Sequence, residues 1–177
     1  MFQTYVNYFE YQAAQHPAIQ HSAERPVFEV VDFEEAWSDF RTKIKEKDYM
    51  MRLALPSGGL SGNSDETIDV MGGFLIAKYF KTRTGTSQDL ITTLDDCMRV
   101  GIEIAEKIVA DSKNGHPLWY WSANSPETLD LTFTPRVWTG DAAYAGWMFI
   151  FRFNTDWRNC SKHPTEPGWP DGGFTPY

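Results

Sequence analysis

Phe2, Tyr5, Val6, Phe9 and Ala13 stand three and four residues apart, the spacing that gathers apolar side chains on one face of a helix. Pro17 ends the pattern, so a helix is predicted from Phe2 to His16, with its stripe laid on a sheet or on a neighbour. After a short extended piece from Pro26 to Val31, Asp32 can cap a second helix carrying Phe33, Ala36, Trp37, Phe40 and Ile44. Lys43, Lys45 and Lys47 fall at its end, where the helix dipole favours positive charge.

The pattern then changes period. Tyr49 to Leu55 reads as a strand stopped by Pro56, and Ile68 to Phe80 as a longer one; the polar, glycine-rich run from Ser57 to Thr67 joins them as an extended hairpin loop. Gly72 and Gly73 interrupt the second strand and predict a bulge or bend. Three further strands are predicted at Leu118 to Trp121, Leu129 to Thr134 and Ala145 to Asn154. In the last, Trp147, Phe149, Phe151 and Phe153 alternate with Met148, Ile150 and Arg152, the mark of a sheet covered on both faces.

Between the two strand groups lies the longest periodic segment, Ser87 to Asn114. Leu90, Leu94, Cys97, Gly101, Ile104 and Ile108 form its apolar stripe, and Ile91, Met98, Ile102, Ala105 and Val109 widen it. Thr86 and Asp89 have capping-box spacing, and Asn114, Gly115 and Pro117 end the helix. A glycine inside a helix costs about 1 kcal/mol relative to alanine, so Gly101 on the stripe predicts a close approach to the sheet. The fold class that follows is α+β: a mixed or antiparallel sheet of four to six strands against one long helix, with an N-terminal helix. One domain is expected over 1–154 and an irregular C-terminal arm over 155–177. In that arm proline and glycine forbid regular structure while Trp157, Trp169, Phe174 and Tyr177 call for burial on this chain's own surface or another's.

Composition narrows the function. The 177 residues suit one domain large enough to fold without staples, and the two cysteines, Cys97 and Cys160, make no disulfide framework, so a reducing compartment is expected. The first residues have neither the basic start nor the apolar run of a signal peptide, and no stretch has the length of a membrane span; no membrane partner is expected. A net charge of -8 opposes a broad phosphate-binding surface. Aromatic residues make up 15% of the chain, seven of them tryptophan, enough that some rings are expected at interfaces with other chains.

Chemistry-bearing motifs are sparse. Cys160 and His163 have C-x-x-H spacing, but a closed zinc site needs four ligands and no second pair accompanies them. There is no nucleophile elbow, phosphate loop or dinucleotide fingerprint, and Ser57 to Gly62, although glycine-rich, precedes no helix. Asp95, Asp96, Glu103 and Glu106 fall mostly off the apolar stripe, as a solvated helix face requires. No catalytic, cofactor-binding or metal-binding residue is therefore assigned, and neither enzyme activity nor a cofactor is expected. Asp65, Glu66 and Asp69 serve either solubility or an acidic rim facing a channel. A ligand pocket between the strand 145–154 and the helix 87–114 is the alternative reading.

The opening helix, the loop from Ser57 to Thr67, the long helix and the closing strand AGWMFIFRFNT with its aromatic tail resemble, in their order, the tail terminator and head-to-tail connector proteins of tailed bacteriophages. The resemblance implies a structural virion protein of the neck or tail, assembled in the host bacterial cytoplasm. It further implies a homo-oligomeric ring whose neighbours are tail-tube, connector or portal-associated proteins, with DNA passing through the lumen without specific binding. An acidic wall suits that passage, because it repels phosphate. Phe2, Tyr5, Phe9, Trp157, Trp169, Phe174 and Tyr177 are the interface residues expected on this reading, and Asp65, Glu66 and Asp69 the lumen-facing loop.

Overall fold

The structure, a computed structural model, describes residues 2–32, 49–60, 67–79, 86–114, 130–138 and 144–156. In chain order these form α1 (Phe2–Gln15), β1 (Phe28–Val31), β2 (Tyr49–Leu60), β3 (Thr67–Tyr79), α2 (Ser87–Lys113), β4 (Asp130–Trp138) and β5 (Tyr144–Asp156). The strands make one mixed sheet in the order β1-β2-β3-β5-β4, with β1 parallel to β2 and every other pair antiparallel. The fold is therefore α+β. The second helix expected after Asp32 and the strand expected from Leu118 to Trp121 lie outside the described residues, as does the C-terminal arm beyond Asp156.

Both helices pack on one face of the sheet, α1 over β1 and β2, α2 over β3 and β5. Alternation sends Tyr49, Met51, Leu53, Val70, Phe74, Ile76, Phe149 and Phe151 to that face, where they bury against Tyr5, Phe9 and Ala13 of α1 and Cys97, Val100, Ile104 and Ile108 of α2. Phe74 and Phe149 stack at the centre, with centroids 4.9 Å apart and rings 7° from parallel. The opposite face is buried along the central strands too, at Met50, Ala54, Leu75, Ala77 and Met148. Arg52 is also buried on that face, its Nε donating at 2.9 Å to Glu29 on the neighbouring strand. Removing Glu29 would leave a buried guanidinium short of a charged partner, which is the costly case.

Two local features correct the sequence reading. Pro56 does not stop β2. The strand continues to Leu60 through a bulge in which Leu55 and Pro56 face Gly72 alone, between the pairs Ala54 with Gly73 and Ser57 with Met71. A proline lacks the N–H that the ladder would use, and the bulge removes that demand. The hairpin connection thus narrows from the expected Ser57 to Thr67 to residues 61–66. The bulge expected near Gly72 and Gly73 is present, with its extra residue on the partner strand. Gly72 is needed for space: a Cβ there would lie 2.7 Å from Tyr5 Oη and 2.6 Å from Phe151. The Tyr5 hydroxyl donates at 3.2 Å to the carbonyl of Ala54, where the ladder breaks, and burial pushes its pKa up.

Candidate interaction surface

Among the described residues β4 ends the sheet, paired with β5 alone, and its residues 132–137 are exposed. The register sets Phe133 opposite Phe149, Pro135 opposite Trp147 and Val137 opposite Ala145, so these three share the face that carries the helices. Phe133 lies 6.0 Å from Trp147 edge-on and 6.0 Å from Phe149.

Above this strand runs one flank of α2. Gly101 marks the side of the helix pressed on the sheet, since a Cβ there would fall 2.0 Å from the Phe149 ring. The flank toward α1 is held by Tyr8 Oη donating to Asp111 at 2.9 Å and by His16 paired with Glu103 at 2.9 Å. At 100° per residue, Ile91, Leu94, Met98 and Ile102 occupy the opposite flank, which looks toward β4. Trp147 forms the floor between them, its indole N–H donating at 2.9 Å to the carbonyl of Leu94.

The result is an apolar trough with one wall on α2 and the other on β4. Its rims stay open to solvent: Ile91 is 49% exposed, Ile102 38%, Phe133 49% and Val137 44%. Exposed apolar side chains on two neighbouring elements are candidates for an interaction surface. Pro135 fits an antiparallel strand only where its nitrogen faces away from the partner, so the outer edge of β4 lacks one donor in mid-strand. A partner would therefore meet this surface through side chains in the trough more than by a continuous backbone ladder.

The polar groups near the end of the sheet have a different character. Lys78 Nζ bonds Asp96 at 2.8 Å and lies 4.9 Å over the Tyr49 ring. Burial works against the ammonium, but the hydrogen bond to Asp96, the Asp96 carboxylate charge and the Tyr49 hydroxyl beside it outweigh burial and hold the Lys78 pKa above its ordinary value. Burial, aided by Asp96 against the opposing pull of Lys78, pushes the Cys97 thiol up to about 12. Burial likewise raises Tyr49, against Lys78. Lys78 on β3 and Asp96 on α2 thereby tie the helix to the sheet.

The expected site residues distribute unevenly. Phe2 opens α1. Tyr5 and Phe9 are fully buried within this chain, which corrects their expected interface role: the stripe of α1 is consumed by its own sheet. Asp69 lies in β3 between Gly59 and Asn154, within a strand instead of a loop. Asp65, Glu66, Trp157, Trp169, Phe174 and Tyr177 lie outside the described residues, as do Cys160 and His163. Among the described residues no group of three or more His, Cys, Asp or Glu side chains could hold a metal ion, and no helix is long and apolar enough to cross a membrane. Where the alternative reading put a pocket, Gly101 and Phe149 are in direct contact.

Sequence reasoning missed Phe133 and Val137. Their signal was Pro135 inside an alternating run, which marks an edge strand, together with an apolar stripe on α2 wider than one sheet contact needs. No protein-family profile matches this chain, and no curated protein matches it.

Proposed function

We propose that this chain is a self-associating structural subunit, and that it serves in the neck or tail of a bacteriophage particle as a tail terminator or connector ring. The observation that carries the self-association is the trough: a strand that is an edge among the described residues, and a helix flank, which together leave Ile91, Ile102, Phe133 and Val137 to solvent. A head-to-tail contact made by one such surface closes into a ring when the rotation between copies allows it. The layout of helices, hairpin and aromatic tail supports the particle assignment, and the net charge of -8 supports a lumen that DNA traverses without being gripped.

Light scattering on the full chain tests the proposal: a multimer is expected, and Val137→Lys, a change at an exposed position, should shift it toward monomer without changing the circular dichroism spectrum. Wild-type protein that scatters as a monomer across a wide concentration series would refute self-association.

A further inference from the structure

The turn that leads out of α1 is built around one imidazole. Pro17 has no N–H to continue the helix, which ends at Gln15, and the chain turns through residues 17–20 on its way to β1. The His16 carbonyl accepts from the Ile19 N–H at 3.1 Å and from the Gln20 N–H at 3.0 Å. The His16 ring takes the amide between Pro17 and Ile19: the Ala18 N–H donates to Nδ1 at 3.2 Å. The other ring nitrogen, Nε2, stands 2.9 Å from Glu103 Oε2 on α2, and the side chain is only 9% exposed. These two contacts fix the ring's proton. Nδ1 must offer its lone pair to the Ala18 amide, so Nε2 carries the hydrogen and donates it to Glu103.

We propose that His16 is a proton-operated switch at the exit of α1: protonation frees the turn from the ring while the ring stays held by α2. A second proton can bind only at Nδ1, where it meets the Ala18 N–H, and two donors cannot share one bond. The same proton turns the Nε2 contact into a charge-assisted pair with the Glu103 carboxylate. That pair anchors the ring, so the turn is the part that yields. The switch stands apart from the self-association proposed above.

The surroundings suit this. From α2 the ring faces the Glu103 carboxylate and, beyond it, Arg99, which donates to Glu103 Oε1 at 3.2 Å. Along the turn, Arg25 donates to Gln20 Oε1 at 3.0 Å, and His21 is paired with Glu10 of α1 at 3.7 Å. The charged residues of β1 and β2, Glu29 and Arg52, sit on the opposite face of the sheet. The turn also has strain to release: Gln20 holds φ at 53°, in the left-handed region that few residues other than glycine adopt. Ile19, between Ala18 and Gln20, is fully buried in the core, so a shift of the turn is felt where α1 meets the sheet.

Hydrogen exchange of the full-length chain, corrected for the intrinsic effect of pH on amide exchange, reads the switch. It is followed between about pH 8 and pH 5, the range in which histidine ordinarily changes charge. In the wild type the amides of residues 18–20 should exchange about tenfold faster at the acid end, as the loss of one hydrogen bond implies, with protection in α2 unchanged. His16→Asn offers Ala18 an amide oxygen that takes up no proton in this range, so the acid step should vanish. A wild type without the step, a step shared with α2, or a step that persists in His16→Asn overturns the proposal. If the asparagine does not protect the turn even at the upper end, nitrogen NMR of the His16 ring in labelled full-length protein decides. A ring protonated at Nε2 at neutral pH, with an Ala18 amide that shifts as the ring titrates, upholds the switch. A ring protonated at Nδ1, or an Ala18 amide that does not follow it, overturns it.

Discussion

Alanine at position 101 would gain about 1 kcal/mol of helix propensity, yet it would drive a methyl carbon to within 2.0 Å of the Phe149 ring. That ring cannot swing away, because it is fully buried and stacked on Phe74. Overpacking of this kind costs about 1–3 kcal/mol or more, so Gly101→Ala should lower stability in urea unfolding, and adding Phe149→Leu should restore part of it. Asp89 makes a second residue-scale prediction. Its carboxylate accepts from the Thr86 backbone N–H and from the Thr86 hydroxyl, which hold its pKa below the usual carboxylate range. A folded pKa below the unfolded one means that the contribution is complete above the unfolded value and fades as pH falls through the folded value. Asp89→Asn should therefore flatten the acid side of a stability-against-pH curve and leave its slope near neutrality unchanged. Gly101 and the capping box were legible in the sequence because each breaks or satisfies a local helix rule. The bond from Tyr5 to Ala54 was not, since it joins residues 49 apart and exists only because a bulge frees that carbonyl.

Elements built on long periodic runs were the readable ones. α2 was expected from Ser87 to Asn114 and spans Ser87–Lys113, and β5 was expected from Ala145 to Asn154 and spans Tyr144–Asp156. Ile104 lies at the centre of the α2 stripe, fully within the core. Ile104→Asp places an unpaired carboxylate among Phe149, Phe74 and Ile108; its cost of about 4 kcal/mol or more should unfold the domain, and unchanged thermal melting would contradict the packing described. What the sequence could not convey was pairing between distant strands. Nothing local in Ala145 to Asn154 says that it inserts between β3 and β4, and that insertion alone makes β4 an edge. Pro56 misled for a related reason: a strand-breaking residue is tolerated when a bulge and a partner glycine absorb it. The candidate site was legible in pieces, as excess width on α2 and a proline in β4, but only the sheet order joins the two pieces into one trough.

At the scale of the whole molecule, the two described helices pack on one sheet face over β1, β2, β3 and β5, and among the described residues neither is centred on β4. The α2 flank and the face of β4 are apolar where the helix layer ends, and this asymmetry is the physical basis for reading the chain as a subunit. A partner seated there would bury Phe133, Val137, Ile91 and Ile102 together, the central apolar cluster that well-packed interfaces contain. Assembly should accordingly depend more on these side chains than on salt, since the surface ion pairs Arg99 with Glu103 and Lys107 with Asp111 lie within α2 itself and are screened by solvent. The most direct measurement is native mass spectrometry of the full-length chain. The account predicts one dominant species at a fixed whole-number multiple of the 20.3 kDa protomer, as a closed ring requires. A spectrum holding only the 20.3 kDa monomer at every concentration would contradict it.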